Sequence, residues 1–322
     1  MFSHDGHVMG DAWYFTDCAS DTVHMFYIAW PEEEDGSHNP FIGHAISKDL
    51  FNWERLAPVL YKGPPGSWDG LRLCTGSVIE RGGKYWMAYS ATSTKDSTRD
   101  TVWDQYRVQR AGMAVSDDLV TWSKLPENPT SESDSRYYEQ LSSGLRKMVH
   151  WRDPYLYDEG DKVYQLICAR GLEGDVTARG TVALASSTDM HSWEILPPIE
   201  HDRVTEEMEC PQIYQINGLW YLVFCTLGNF LLKGYAAEFG DKIPERSNFA
   251  MVSHSPLGPF RIHGTGQIII HSRESYFYAA QLVCLRGEWY LLATMHDQDP
   301  DRISDPIRVY ADETGVHEDF SH

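Results

Sequence analysis

HAISKDLFNW (44–53), MAVSDDLVTW (113–122) and ALASSTDMHSW (183–193) are three copies of one phrase. Each sets a serine (Ser47, Ser116, Ser187) ahead of a Leu- or Met-centred step and ends in tryptophan (Trp53, Trp122, Trp193). AMVSHSPLGPF at 250–260 is a weaker fourth copy. A second phrase recurs around these, an aromatic strand after a polar turn: DTVHMFYI, GGKYWMAY, GDKVYQLI, NGLWYLVF and RGEWYLLA. Its anchors His24, Trp86, Tyr164, Tyr221 and Tyr290 mark five copies of a unit of roughly 65 residues. Gly82-Gly83, Asn217-Gly218 and Arg286-Gly287 are hairpin-turn signals, and helical periodicity is scarce. Units of short strands repeated radially bury their faces on one another in a β-propeller. Paired β-sandwiches do not predict five equivalent hairpins. The expectation is an all-β chain, a five-bladed β-propeller forming a single domain over residues 1–322. Its blades are expected at about 7–65, 66–145, 146–203, 204–270 and 271–315, with the polar stretches 93–110 and 126–150 as rim loops.

Composition narrows the function. Against 47 acidic residues stand 27 basic ones, a formal charge of −20. That balance argues against nucleic acid and against an anionic membrane surface, both of which need neutralising Lys and Arg. No apolar run approaches the roughly 20 residues that span a bilayer. The opening MFSHDGHVMGD lacks a basic and an apolar signal region, so a cytoplasmic location is expected. Six cysteines (Cys18, Cys74, Cys168, Cys210, Cys225, Cys284) form no CxxC pair and read as buried free thiols. The 14 histidines show no HxxxH or HExxH spacing, so no metal or cofactor is expected; His271 and His296 are the histidines placed to approach the axis and hold water or an ion. GxSxG, P-loop and GxGxxG motifs are absent. The sequence sets no oligomeric state.

Some twelve residues before each aromatic anchor runs the innermost strand of that blade. There stand Asp11, Asp153 and Glu209, with Thr75-Gly76-Ser77 in the second blade and Tyr278 in the fifth. Innermost strands line the central funnel, so three carboxylates converge on it. Two converging carboxylates are what glycoside hydrolysis needs, one to protonate the leaving oxygen and one to attack the anomeric carbon or activate water. A single Asp or Glu near a turn is as often a capping residue. The trio is set apart by its register and by Trp151-Arg152-Asp153-Pro154 and Met208-Glu209-Cys210-Pro211, which precede the similar phrases PYLYDEGDKVYQL and PQIYQINGLWYLV. Trp13, Trp68, Trp103 and Trp151 are candidates to stack on a sugar or simply to pack. Asp69 in SWDGLR reaches a sugar hydroxyl or serves its turn. Ser77 and Tyr278 are candidate sugar contacts, and Arg152 beside Asp153 is expected to keep that carboxylate ionised.

At these residues the chain resembles the five-bladed propeller glycoside hydrolases, most closely family 32, the β-fructosidases and invertases. Arg152-Asp153-Pro154 matches the family's Arg-Asp-Pro motif, which implies that Asp153 stabilises the transition state and Arg152 holds the sugar. Glu209-Cys210 matches its Glu-Cys motif, which implies a general acid/base at Glu209. Gly10-Asp11, followed by HMFYIAW, stands where the family has Asn-Asp-Pro-Asn-Gly with the nucleophilic Asp. The resemblance implies a small carbohydrate substrate, a terminal β-fructofuranoside cleaved with retention, for which Asp11 must be ionised and Glu209 must have a raised pKa. Gly10 and Ala12-Trp13 replace the family's Asn and Pro-Asn, and the family's C-terminal β-sandwich is not expected in a chain whose fifth blade runs to about 310. Length is closer to the related single-domain propellers of family 43, inverting enzymes for arabinofuranosides and xylosides, and the same three acids serve that scheme. A propeller that binds carbohydrate without cleaving it is a third reading, decided by whether Asp11 projects into the funnel.

Overall fold

The computed structural model describes residues 1–32, 40–96, 107–268, 277–296 and 300–320. Five antiparallel sheets succeed one another along the chain, numbered here blades I to V. Their innermost strands are His7–Asp17, Arg72–Arg81, Arg152–Asp158, Glu209–Ile216 and Phe277–Leu285. Each innermost strand touches those of the two neighbouring blades, and His7–Asp17 meets Phe277–Leu285, so the ring closes as the expected five-bladed β-propeller. Each next strand outward pairs through a hairpin: Thr22–Pro31, Lys84–Thr92, Val163–Arg170, Leu219–Leu227 and Glu288–Met295. These strands are covered on both faces by neighbouring blades, which is why they read as near-continuous apolar runs. Apolar clusters fill every seam. Trp13, Phe26 and Leu73 sit between blades I and II, Leu166, Ile213 and Phe224 between III and IV, and Val23, Tyr27 and Leu292 between V and I.

The repeated phrase builds the turn from third to fourth strand, with the same bonds in three blades. The backbone N–H groups of Leu50 and Met190 each donate to the preceding serine hydroxyl, Ser47 or Ser187, at 2.9 Å. Asp49, Asp118 and Asp189 accept the backbone N–H groups two and three residues further on. Each tryptophan indole N–H closes back on the carbonyl of Leu50, Leu119 or Met190. Those three residues are left-handed, with φ of 66°, 64° and 66°. Blade IV has no aspartate at this step, and its sheet has three strands rather than four. Part of the 126–150 stretch does more than form a rim: Tyr138 is fully buried and donates its hydroxyl to the Leu196 carbonyl at 2.6 Å. The ring is drawn shut by Phe2 and Ile303, which exchange backbone hydrogen bonds of 2.9 and 3.0 Å.

Candidate active site

All five innermost strands bulge at the same place. Gly10-Asp11, Cys74-Thr75, Asp153-Pro154, Cys210-Pro211 and Ala279-Ala280 each set two residues opposite one on the neighbouring strand. A bulge bends the strand and re-aims its side chains; it also tolerates Pro154 and Pro211, which have no N–H for the ladder. In blades III to V the first bulge residue is left-handed, with φ of 57° at Asp153, 48° at Cys210 and 49° at Ala279. A non-glycine residue held there carries strain of about 1–3 kcal/mol. Aligned on the bulge, Glu209 precedes it, Asp153 is its first residue and Asp11 its second. The single shared register expected from the anchors is therefore three successive positions, because hairpin arms and turns differ in length between blades.

The three acids meet across the axis. Asp11 on blade I accepts the hydroxyl of Thr75 on blade II, and the Cys210 thiol on blade IV lies 3.8 Å from the same carboxylate oxygen. Asp153 on blade III accepts the Cys210 backbone N–H at 3.0 Å. Glu209 accepts Arg152 Nη2 at 2.5 Å through one oxygen and the Tyr278 hydroxyl through the other. Arg152 Nη2 also donates to Glu207 at 2.6 Å, and its Nη1 lies 2.7 Å from His150 Nδ1. Its Nε is 3.6 Å from Asp153.

Burial sets the charge states. It pushes the Asp11 carboxyl above the ordinary range; the Thr75 hydroxyl opposes that rise and the Glu209 charge adds to it. Burial likewise carries Asp153 up to about 7 against the pull of Arg152, with Asp11 and Glu209 reinforcing it. Burial outweighs Arg152, which therefore does not hold Asp153 down as expected; its Nη2 is also committed to Glu207 and Glu209. Ligand atoms of Asp11, Asp153 and Cys210 lie within 4.8 Å of one another. A hydrogen bond with the free thiol of Cys225, followed by burial, holds the Cys210 thiol well above its ordinary value.

Of the other described candidates, Arg152, Tyr278 and His296 stand near the acids, and Trp13, Trp151, Ser77, Trp68 and Asp69 do not. Trp13 is fully buried in the seam between blades I and II, stacked on Phe26 at 6.3 Å. Trp151 is fully buried too, edge-on to Tyr138 at 5.2 Å. Side chains alternate across a strand, so the neighbour of a funnel residue such as Arg152 points into the seam. Ser77 ties blade II to blade III, donating to the Pro154 carbonyl and accepting the Leu156 N–H, both at 2.8 Å. Trp68 packs on Tyr89 at 5.4 Å, and Asp69 is engaged by Lys124 and Ser67. Trp103 and His271 lie outside the described residues. Glu207 and His150 escaped the sequence reading, although each stands two residues from a funnel residue, the spacing that shares a strand face.

Residues 14–255 match the family described as "Glycosyl hydrolases family 32 N-terminal domain". Sucrose-6-phosphate hydrolase of Staphylococcus xylosus is 24% identical over 184 residues, 56% of this chain and 33% of that one. The Bacillus subtilis (strain 168) enzyme of the same name is 24% identical over 221 residues, 64% and 39% of the two chains. The chain thus spans well under half the length of these curated relatives. Among solved structures, a B. subtilis levansucrase superposes with a TM-score of 0.76 at 14% identity over 98% of this chain and 87% of that one. A Bombyx mori family 32 β-fructofuranosidase in complex with sucrose gives 0.70 at 18% identity, covering 97% and 62%. Asp153 and Glu209 fall inside the matched residues, while Asp11, Tyr278 and His296 fall outside them. The match takes in well over half of the chain, which belongs to glycosyl hydrolase family 32.

Proposed function

We propose that this chain is a glycosidase that releases the terminal fructosyl unit of a small β-fructofuranoside with retention of configuration. The reading rests chiefly on one observation: Asp11 on blade I has its partners on blades II and IV, so its carboxyl is turned to the axis, and among the described residues no lysine pairs with it. Asp11 attacks the anomeric carbon while Glu209 gives its proton to the leaving oxygen; Glu209 then takes a proton from water, which displaces Asp11 and frees the sugar. Asp153 faces the positive charge that develops on the ring, and Arg152 orients hydroxyl groups. Burial raises the Asp11 and Asp153 carboxyls more than Arg152 lowers them. Positive charge developing in the oxocarbenium-like transition state favours their ionised forms, so they stabilise it over the neutral ground state.

Incubation with sucrose, sucrose 6-phosphate, inulin-type oligosaccharides and nitrophenyl arabinofuranosides tests the proposal. Fructose should be released from at least one of the first three. Asp11→Asn should lower kcat by about 10³-fold or more with the fold intact, and Glu209→Gln should be most harmful on poor leaving groups. Wild-type turnover in both variants would refute the assignment. NMR of the first-formed anomer should show retention, which direct attack allows when the two carboxyls lie about 5–5.5 Å apart. Release from the arabinofuranoside with inversion would move the chain to the family 43 scheme.

A further inference from the structure

Beside the three acids stands an imidazole that this mechanism does not use. His296 follows the second strand of blade V, Glu288–Met295, at its funnel end. Two residues earlier, Thr294 pairs with Tyr278 and donates its hydroxyl to the Gly10 carbonyl at 3.1 Å, within the bulge that carries Asp11. His296 stands two residues on, in the turn that ends this strand. Its ring lies 6.1 Å from that of Tyr278, the donor to Glu209. Nδ1 is 2.8 Å from an oxygen of Asp301. A carboxylate only accepts, so Nδ1 carries the hydrogen and Nε2 of the neutral ring is left as an acceptor. Nε2 forms no bond among the described residues.

We propose that His296, oriented by Asp301, is a specificity-determining contact whose Nε2 accepts a hydroxyl of the terminal sugar. The inference rests on the fructosidase reading for the identity of that sugar. Asp301 is a positioning residue: it fixes which nitrogen faces the funnel, as an acidic partner does for a catalytic histidine.

The test compares wild type and His296→Ala on β-fructofuranosides lacking one fructosyl hydroxyl at a time. On the parent substrate His296→Ala should lower kcat/KM by about 10-fold or more. On one deoxy analogue the two proteins should become equal, because the hydroxyl that His296 accepts is already gone. His296→Gln, which keeps an acceptor, should recover part of the loss. Asp301→Asn should lose less than His296→Ala and add nothing to it in the double variant. Thermal melts check that each variant is folded. No loss on the parent, or one equal loss on every analogue, overturns the contact. If wild type turns over no fructoside, the functional reading fails separately, and titration with free fructose still decides: binding equally tight to wild type and His296→Ala overturns the inference.

Discussion

Asp153 illustrates how a single side chain can serve chemistry at the expense of the fold. The residue is 6% exposed, and burial pushes its carboxyl up to about 7, against 3.8 for an ordinary aspartate. The unfolded chain gives up that proton first, so from about pH 4 to pH 7 the native state holds more protons and stability falls as pH rises. Asp153→Asn removes the penalty. At pH 7.5 its melting temperature should exceed wild type by on the order of 5 °C. The gain should shrink toward pH 4, while turnover is lost; a variant no more stable than wild type at pH 7.5 would show the carboxyl to be compensated. Asp11, Glu209, Arg152 and Tyr278 were legible because equivalent residues of a repeat share a place around the axis. Trp13 and Trp151 take the packing alternative and Ser77 ties two blades together, which spacing alone did not decide because a bulge resets which side chains face inward and one extra residue leaves no mark in composition or spacing.

The recurring turn is the element whose chemistry the sequence displays most openly. Ser and Trp at fixed offsets marked three of the blades, and the aromatic anchors marked all five; the purpose of the phrase emerges from the bonds, in which the aspartate receives two N–H groups that a left-handed residue leaves facing it. Those bonds hold the Asp118 carboxyl down at about 2. Because the native value lies below the unfolded one, the stabilisation is present above about pH 4 and fades as pH falls toward 2. Asp118 is exposed, so solvent weakens its share. Asp118→Ala should cost about 0.5–1 kcal/mol at pH 7 by analogy with other side-chain caps of backbone N–H groups. Urea titrations of the two proteins should show that gap closing as pH is lowered from 4 to 2. The five bulges were hidden: their residue pairs, from Gly-Asp to Cys-Pro and Ala-Ala, share no chemistry, and what they share is backbone shape.

At the scale of the whole molecule, repetition made the propeller legible, and closure did not repeat. The link between Phe2 and Ile303 is an isolated bridge outside the repeated strand pairings, and no motif announces it. Phe2 is 7% exposed and packs into the seam between blades V and I. Phe2→Ala should lose about 3 kcal/mol, read as a lower urea midpoint, with activity disappearing at lower urea than far-UV circular dichroism. Coincident transitions would mean that the seam opens only with the rest of the chain. The reason to expect a difference lies in where the ring begins and ends. Asp11 belongs to the first blade, while Tyr278 and His296 belong to the last, and nothing covalent joins the two across the gap. The closing contact therefore works as a clasp on the chemistry itself. Slackening it by a fraction of an ångström leaves four blades and nearly all strand pairing untouched, yet parts the attacking carboxylate from the groups beside it, so that turnover becomes a gauge of whether the circle is shut.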